Sequence, residues 1–251
     1  MKIIQKILYA IGYHLGRGFI NSNEDLKKIL FNKNNFDLKS AIEHEQKEKS
    51  YKFFKNYFNN SIIIEGRLNN LSYSINKCLE LIEKNQFTSV EYSFLEFGIY
   101  KGETTNHISK KIQQIDFKLD AFDSFQGLSE DRKFTNDPKG SYSTKNVIPT
   151  VNKNVNIIIG DIFETLGPFL NNSKNKIIFI HIDTDTYETT KFILHNIKPY
   201  LINGSIIVFD ELHNFMGWEA GEAKALFEVF KKEEFEFLSF SSGQQATIRI
   251  K

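Results

Sequence analysis

Seven short apolar strands, alternating with segments of helical spacing, predict a doubly wound, Rossmann-like α/β fold. The expected sheet is mostly parallel and seven-stranded, with an antiparallel C-terminal strand and an N-terminal helical extension. Three observations carry this reading. Strand and helix patterns alternate from Tyr92 to the C-terminus, as parallel sheets with crossover helices require. A glycine pair, Gly98 and Gly102, lies where the first of these strands feeds a helix. Composition also shifts near residue 88: residues 21–87 are rich in Asn, Lys, Glu and Phe, with no proline and one glycine.

The elements follow in order. Ile4, Leu8, Ile11, Leu15 and Phe19 recur at helical spacing over the first twenty positions. Charged residues interrupt this segment and no small-residue cleavage site follows, so it reads as a helix packed on the domain or on a second copy rather than a signal peptide. Helical spacing continues at Leu26–Leu30 and through Leu71, Ile75, Cys78, Leu79, Leu81 and Ile82. Residues 1–87 are therefore expected to form a helical extension or cap, and 88–251 the strand-bearing domain. In that domain, strands are expected at Tyr92–Phe97, Lys118–Phe122, Val155–Ile159, Ile177–Ile182 and Ser205–Phe209. Helices are expected at Thr104–Gln114, Ser143–Asn152, Phe163–Leu170, Tyr187–Tyr200 and Glu219–Lys232. Phe235–Phe240 and Ala246–Ile250 would close the sheet as a hairpin around Ser242-Gly243, with an antiparallel strand at its edge.

Of 251 residues, 41% are hydrophobic and 25% charged, ordinary values for a soluble globular chain. The net charge of +1 gives no reason to expect a nucleic-acid partner. Cys78 is the single cysteine, which leaves no internal disulfide and no Cys/His zinc pattern. No apolar run reaches the roughly 18 residues of a transmembrane helix. A cytoplasmic location is the expectation, and the helical extension makes a homodimer plausible.

In an open α/β sheet, ligands bind beyond the carboxyl ends of the strands. Glu96-x-Gly98-x-x-x-Gly102 sits at such an end. Gly98 allows the chain to turn and a ligand to approach the backbone, and Gly102 opens the helix. The spacing is neither a dinucleotide fingerprint nor a Walker motif. Asp123 ends the next strand, where a ribose diol is held in dinucleotide folds. Asp161 and Phe163 follow the third, placed to meet an adenine amino group and ring face. Asp161 is also a natural helix N-cap, and the two roles are compatible. Asp183/Asp185 and Asp210/Glu211 end two further strands, so four carboxylates share one rim. A nucleotide-type cofactor beside a divalent metal is the expectation.

From about Phe94 to its end, the chain resembles class I S-adenosylmethionine-dependent methyltransferases, and more narrowly the macrocin O-methyltransferase family. The matching pieces are Leu95-Glu96-Phe97-Gly98 with Lys101-Gly102, then Phe122-Asp123-Ser124-Phe125-x-Gly127-Leu128 and Gly160-Asp161-x-Phe163-x-Thr165-Leu166. They continue through His181-Ile182-Asp183-Thr184-Asp185-x-Tyr187-x-x-Thr190, Phe209-Asp210-Glu211 and Gly217-Trp218-x-x-Gly221-Glu222-x-Lys224-Ala225. The resemblance implies S-adenosylmethionine as cofactor, held by Glu96, Gly98, Tyr100, Lys101, Gly102, Asp123, Ser124, Phe125, Asp161, Ile162 and Asp183. It implies a saccharide or small-molecule acceptor.

Hard divalent ions such as Mg²⁺ take oxygen ligands, and Asp183, Asp210 and Glu211 suit one. Carboxylates this close must be offset by a cation, a proton or a basic partner. The resemblance assigns the same three residues as metal ligands, although the family often has Asp where Glu211 stands. Asp183 is the first choice of general base. His213 is the second, because it follows the acidic pair and titrates near neutral pH. His181 reads as a hydrogen-bonded structural histidine. Trp218 reads equally as a sugar-stacking ring or a core aromatic, and Arg132–Gly140 as a closing loop or an inert one. A non-catalytic binding subunit and, less favoured, a nicotinamide oxidoreductase are the alternatives. The oxidoreductase lacks both the dinucleotide loop and a placed Tyr-x-x-x-Lys pair.

Overall fold

The computed structural model describes residues 38–251. The expected helices at positions 1–20 and 26–30 lie outside the described residues. Gln46–Lys251 form one compact unit, and the first turns of α1, up to Glu45, lie outside it. The helices are α1 (Leu38–Phe58), α2 (Arg67–Asn85), α3 (Glu103–Ile112), α4 (Ile162–Ser173), α5 (Tyr187–Ile197) and α6 (Glu222–Val229). The strands are β1 (Ile62–Ile64), β2 (Tyr92–Phe97), β3 (Leu119–Asp123), β4 (Val155–Ile159), β5 (Lys176–Ile182), β6 (Leu201–Phe209), β7 (Phe235–Ser241) and β8 (Ala246–Ile250).

The eight strands form one sheet in the order β1-β7-β8-β6-β5-β2-β3-β4. All pairings are parallel except those of β8, which runs antiparallel to both β6 and β7. Two details differ from the sequence reading. β8 inserts between β6 and β7 instead of lying at the edge. The edge is β1, an eighth strand of three isoleucines that pairs with β7. A run of three residues is too short to show alternation, so sequence periodicity passes over it.

The third difference is the segment Ser143–Asn152, which forms turns and no helix. Lys145 and Asn146 both take left-handed backbone angles, φ 55° and 62°, and Pro149 follows. Thr144 Oγ1 donates to the Val147 carbonyl at 2.8 Å, a local bond of the kind that competes with helix formation.

Strand side chains alternate between the two faces of the sheet. Leu95, Phe97, Ile180, Ile182, Ile207 and Phe209 face one core, with α4, α5, α6 and Phe54 of α1 packed on it. Phe94, Ile178, Ile206 and Val208 face the other, beneath α2 and α3. α2 is fastened to the sheet by a buried polar network. Asn70 Nδ2 donates to Thr247 Oγ1 at 3.2 Å, Ser239 Oγ donates to Asn70 Oδ1 at 2.7 Å, and Ser74 Oγ lies 2.6 Å from Thr247 Oγ1. Cys78 is fully buried on the same helix, and burial pushes its thiol up, so it is an inert core group.

Many of the phenylalanines are core. Phe54 is 0% exposed and its ring meets those of Trp218, Phe237 and Phe240 at 5.4, 5.9 and 5.6 Å. Phe54→Ala is expected to cost about 3–5 kcal/mol, because the surrounding rings cannot close the cavity. Urea denaturation would read this as a lower midpoint at unchanged slope.

Candidate functional site

The chain runs β2 to β3 to β4 on one side of the sheet and then crosses back to β5 beside β2. The strand order therefore reverses between β2 and β5, and a crevice opens beyond their carboxyl ends. Its floor is a close backbone approach. Gly98 has φ +90°, and a Cβ placed on it would lie 1.9 Å from the Asp183 carbonyl oxygen. Only glycine fits that junction. A cleft of about 490 Å³ extends from it, lined by residues that include Gly98, Tyr100, Asp123, Asp161, Asp183 and Asp210.

At the end nearest β3 and β4, Asp123 binds backbone. Its Oδ2 accepts from the Ile99 and Tyr100 N–H groups at 2.8 and 2.9 Å, and Oδ1 accepts from the Phe125 N–H at 2.7 Å. The carboxylate thus holds the glycine loop in shape. Asp161 caps α4, accepting from the Phe163 N–H at 3.0 Å, and still lines the cleft beside Ile162. Ser124 and Phe125 line it as well. Tyr100 is 43% exposed, takes φ 49° and faces Tyr142 edge-on, while the Lys101 ammonium lies 5.0 Å over the Tyr100 ring. Gly102 is the N-cap of α3 at φ 79°. Phe163 packs on Phe192 at 4.6 Å and does not line the cleft.

Glu96 is placed differently from a direct cofactor ligand. It is 0% exposed and does not line the cleft. Its Oε1 lies 3.0 Å from Nδ1 of the buried His181, and its Oε2 has no partner. His181 Nε2 lies 3.8 Å from Asp210 Oδ1. Burial works against charge on this imidazole, but the neighbouring Asp210 and Glu96 carboxylates outweigh it and raise its pKa to about 10. His181 is thus wedged between two carboxylates that favour its charged form.

All four rim carboxylates line the one cleft, but they form two clusters. Asp183 and Asp210 project toward the α2 face. There Arg67, the first residue of α2, donates from Nη2 to Asp183 Oδ2 at 2.5 Å and from Nε to Asp210 Oδ1 at 2.6 Å. Asp185 and Glu211 project toward the α6 face and share Arg132, which reaches Asp185 Oδ1 at 3.0 Å and also pairs with Glu211. The Arg132 guanidinium lies 5.2 Å over the Phe215 ring. Alternation separates the adjacent Asp210 and Glu211, whereas Asp185, two positions beyond Asp183, leaves the strand direction in a turn with a left-handed backbone, φ 62°. Glu222 of α6, 1% exposed, accepts the Glu211 N–H at 3.0 Å through Oε2, while its Oε1 has no partner.

Burial and the neighbouring Asp210 charge push Asp183 up to about 7, against His181 and Arg67. Burial also acts to raise Asp210, but His181 and Arg67 outweigh it and hold the group below its usual range. Burial and Asp185 push Glu211 up to about 10, with Arg132 opposing.

The donor chemistry fits a hard cation at one point. Oxygens of Asp183 and Asp210 and a nitrogen of His181 lie within 4.8 Å of one another. His181 already gives Nδ1 to Glu96, and Arg67 already stands on both carboxylates. Glu211 is not in this group. Arg67, Arg132 and Glu222 complete the site; the sequence marked Arg132 only as the start of a closing or inert loop and Glu222 only within a matching motif, and Arg67 not at all. Nothing in the pattern around Arg67 marks it except Gly66, at φ 86°, which precedes the helix.

His213 is outside the cleft. It is 4% exposed, its ring packs edge-on against Phe54, Phe58 and Phe240, and its Nε2 lies 3.2 Å from the Gln245 carbonyl oxygen. Burial lowers its pKa from 6.5 to about 4. A histidine with a depressed folded pKa stabilises the fold above its unfolded value, and that contribution disappears as pH falls through the window to the folded value. Between pH 6.5 and 4.5 wild type should lose about 2 kcal/mol that His213→Gln does not. Denaturant melts of both proteins at the two pH values measure it. Trp218 is 2% exposed and packs on Phe53 and Phe54, so it is a core ring. The loop carrying Arg132 forms one wall of the cleft through Gln126–Ser129, Lys139, Gly140, Tyr142 and Thr144.

Residues 95–212 match a protein family described as "Methyltransferase domain". No curated protein sequence matches the chain. Among solved structures, CalS11, a calicheamicin methyltransferase, aligns with TM-score 0.57 at 22% identity, covering 70% of this chain and 77% of that one. An apo structure of CalS11, described as a TDP-rhamnose 3'-O-methyltransferase of calicheamicin biosynthesis, aligns at 0.51 with 23% identity, covering 72% and 77%. The O-methyltransferase NovP aligns at 0.51 with 18% identity, covering 72% and 78%. The chain thus has the methyltransferase fold. No described helix is long and apolar enough to cross a membrane.

Proposed function

We propose that the chain is an S-adenosylmethionine-dependent O-methyltransferase of the macrocin O-methyltransferase kind, acting on a hydroxyl of a sugar or glycosylated acceptor. The observation that carries the reading is the Gly98–Asp183 junction at the point where strand order reverses. It sets a close backbone approach, suited to a nucleotide-type cofactor, next to a carboxylate held near neutrality. The likeness to CalS11, described as a TDP-rhamnose 3'-O-methyltransferase, supports a sugar-type acceptor, and that to the O-methyltransferase NovP supports transfer to oxygen.

The adenosyl group is assigned to the end lined by Asp123, Ser124, Phe125, Asp161 and Ile162. The methionine portion lies along Gly98 and Tyr100. Asp183 then accepts the acceptor hydroxyl proton, for which a pKa near the working pH is suited. The oxygen attacks the methyl carbon as the carbon–sulfur bond breaks, and the electron pair stays on sulfur. The products are a methyl ether and S-adenosylhomocysteine. Arg67 and His181 fix Asp183 and Asp210 during the transfer, so the residues chiefly supply orientation. A divalent cation held by Asp183 and Asp210 in place of Arg67 would polarise the acceptor hydroxyl, with Glu211 left in the other cluster beside Arg132. Two copies joined through the N-terminal helices belong to the same reading, and a monomeric mass by light scattering would remove that part.

Incubation with methyl-labelled S-adenosylmethionine and a panel of nucleotide-linked sugars and glycosides tests the proposal. Label in a saccharide ether is expected. Cofactor turnover confined to amines or carbon nucleophiles would overturn the O-methyl assignment.

A further inference from the structure

The acidic pair at the reaction centre carries its own cation, and that cation comes from outside the segment that matches the methyltransferase family. Arg67 opens α2, whereas the family match begins at residue 95. Its side chain is about a third exposed, at 35%, and lines the cleft. It bonds both carboxylates at once, 2.5 Å to Asp183 and 2.6 Å to Asp210, and its third ion pair, to Glu103, is longer at 3.9 Å. The charge of the two aspartates is thus already offset, by Arg67 on one side and His181 on the other.

We propose that Arg67 is a resident counter-cation that positions Asp183 and Asp210, and that a divalent cation reaches this pair only by displacing it. The inference rests on the methyltransferase reading for its role in catalysis, but the competition is a property of these side chains. His181 cannot play the displaced part, because it is buried at 1% exposure between Glu96 and Asp210. Arg67 can, because its exposed side faces the open cleft and Glu103 offers it a second carboxylate. The residue therefore links the helical first third of the chain to the chemistry at the strand ends. It sets which state of the acidic pair, arginine-bound or metal-bound, meets the acceptor.

Mn²⁺ binding, followed by electron paramagnetic resonance of the free ion, tests the competition on the whole chain. Arg67→Met should bind Mn²⁺ about tenfold or more tightly than wild type, because two part-buried ion pairs no longer have to be broken. Arg67→Lys should return toward wild type, and adding Asp210→Asn to Arg67→Met should abolish the gain. Arg67→Gln serves if the methionine variant does not fold. Equal or weaker Mn²⁺ binding in the neutral variants overturns the inference. S-adenosylmethionine binding is measured on the same samples. Its absence in wild type defeats the methyltransferase reading, whereas unchanged Mn²⁺ affinity with cofactor binding intact defeats only the role of Arg67.

Discussion

Asp183→Asn is expected to lower methyl transfer by about 10²–10⁴-fold while S-adenosylmethionine still binds. The substitution keeps the size of the side chain and removes only its charge and its capacity to take a proton. In the native site, burial and Asp210 hold this carboxyl up to about 7, so it exists in both protonation states near neutral pH. Asparagine has no such equilibrium. Its amide oxygen can still accept from Arg67, which also keeps its bond to Asp210, so the cleft retains its shape. Initial rates with labelled methyl donor, beside calorimetric cofactor titration, separate the two effects. Equal rates for the variant and wild type would remove Asp183 from the chemistry.

Gly98→Ala is expected to damage both stability and cofactor binding. The added methyl would sit 1.9 Å from the Asp183 carbonyl oxygen and 2.9 Å from its carbonyl carbon, both fixed backbone atoms. Neither can yield cheaply, because Asp183 N donates to the Phe97 carbonyl at 2.9 Å and Gly98 N to the Phe122 carbonyl at 2.9 Å. The residue also needs φ +90°, where an L side chain is strained whatever space surrounds it. Strain and overpacking together should cost about 3 kcal/mol, with a fall in melting temperature of roughly 6–12 °C for a chain of this size. An alanine variant that melts and binds cofactor as wild type does would show that the junction is not the tight floor of the cleft.

Strand and helix alternation was legible because buried parallel strands are short apolar runs with polar punctuation. Val155–Ile159 was bounded correctly from that pattern alone. β1 was not legible, since three isoleucines between Ser61 and Glu65 carry no period, and its pairing with β7 is decided by the tertiary fold. Ser143–Asn152 carries Pro149 and a run of β-branched residues that oppose a helix, and local hydrogen bonds and left-handed backbone angles decide it. At the site, the acidic residues were visible because each ends an apolar run. Their partners were not. Arg67 stands 116 positions from Asp183, and no local pattern announces an ion pair across that distance. The divergence of Asp210 from Glu211 follows from strand periodicity, but adjacency in sequence suggests a single pair. His213 shows the converse error: its place next to the acidic pair suggested chemistry, and the fold buries it among aromatic rings.

The cleft at the β2–β5 reversal is assigned to S-adenosylmethionine, bound beside Asp183. Calorimetric titration of S-adenosylmethionine into the purified protein, with and without Mg²⁺ and with NAD as control, tests it most directly. Saturable binding of the methyl donor and none of NAD is the expected result. Absence of donor binding under both conditions would contradict the account and leave the carboxylate rim to a binding subunit without catalysis.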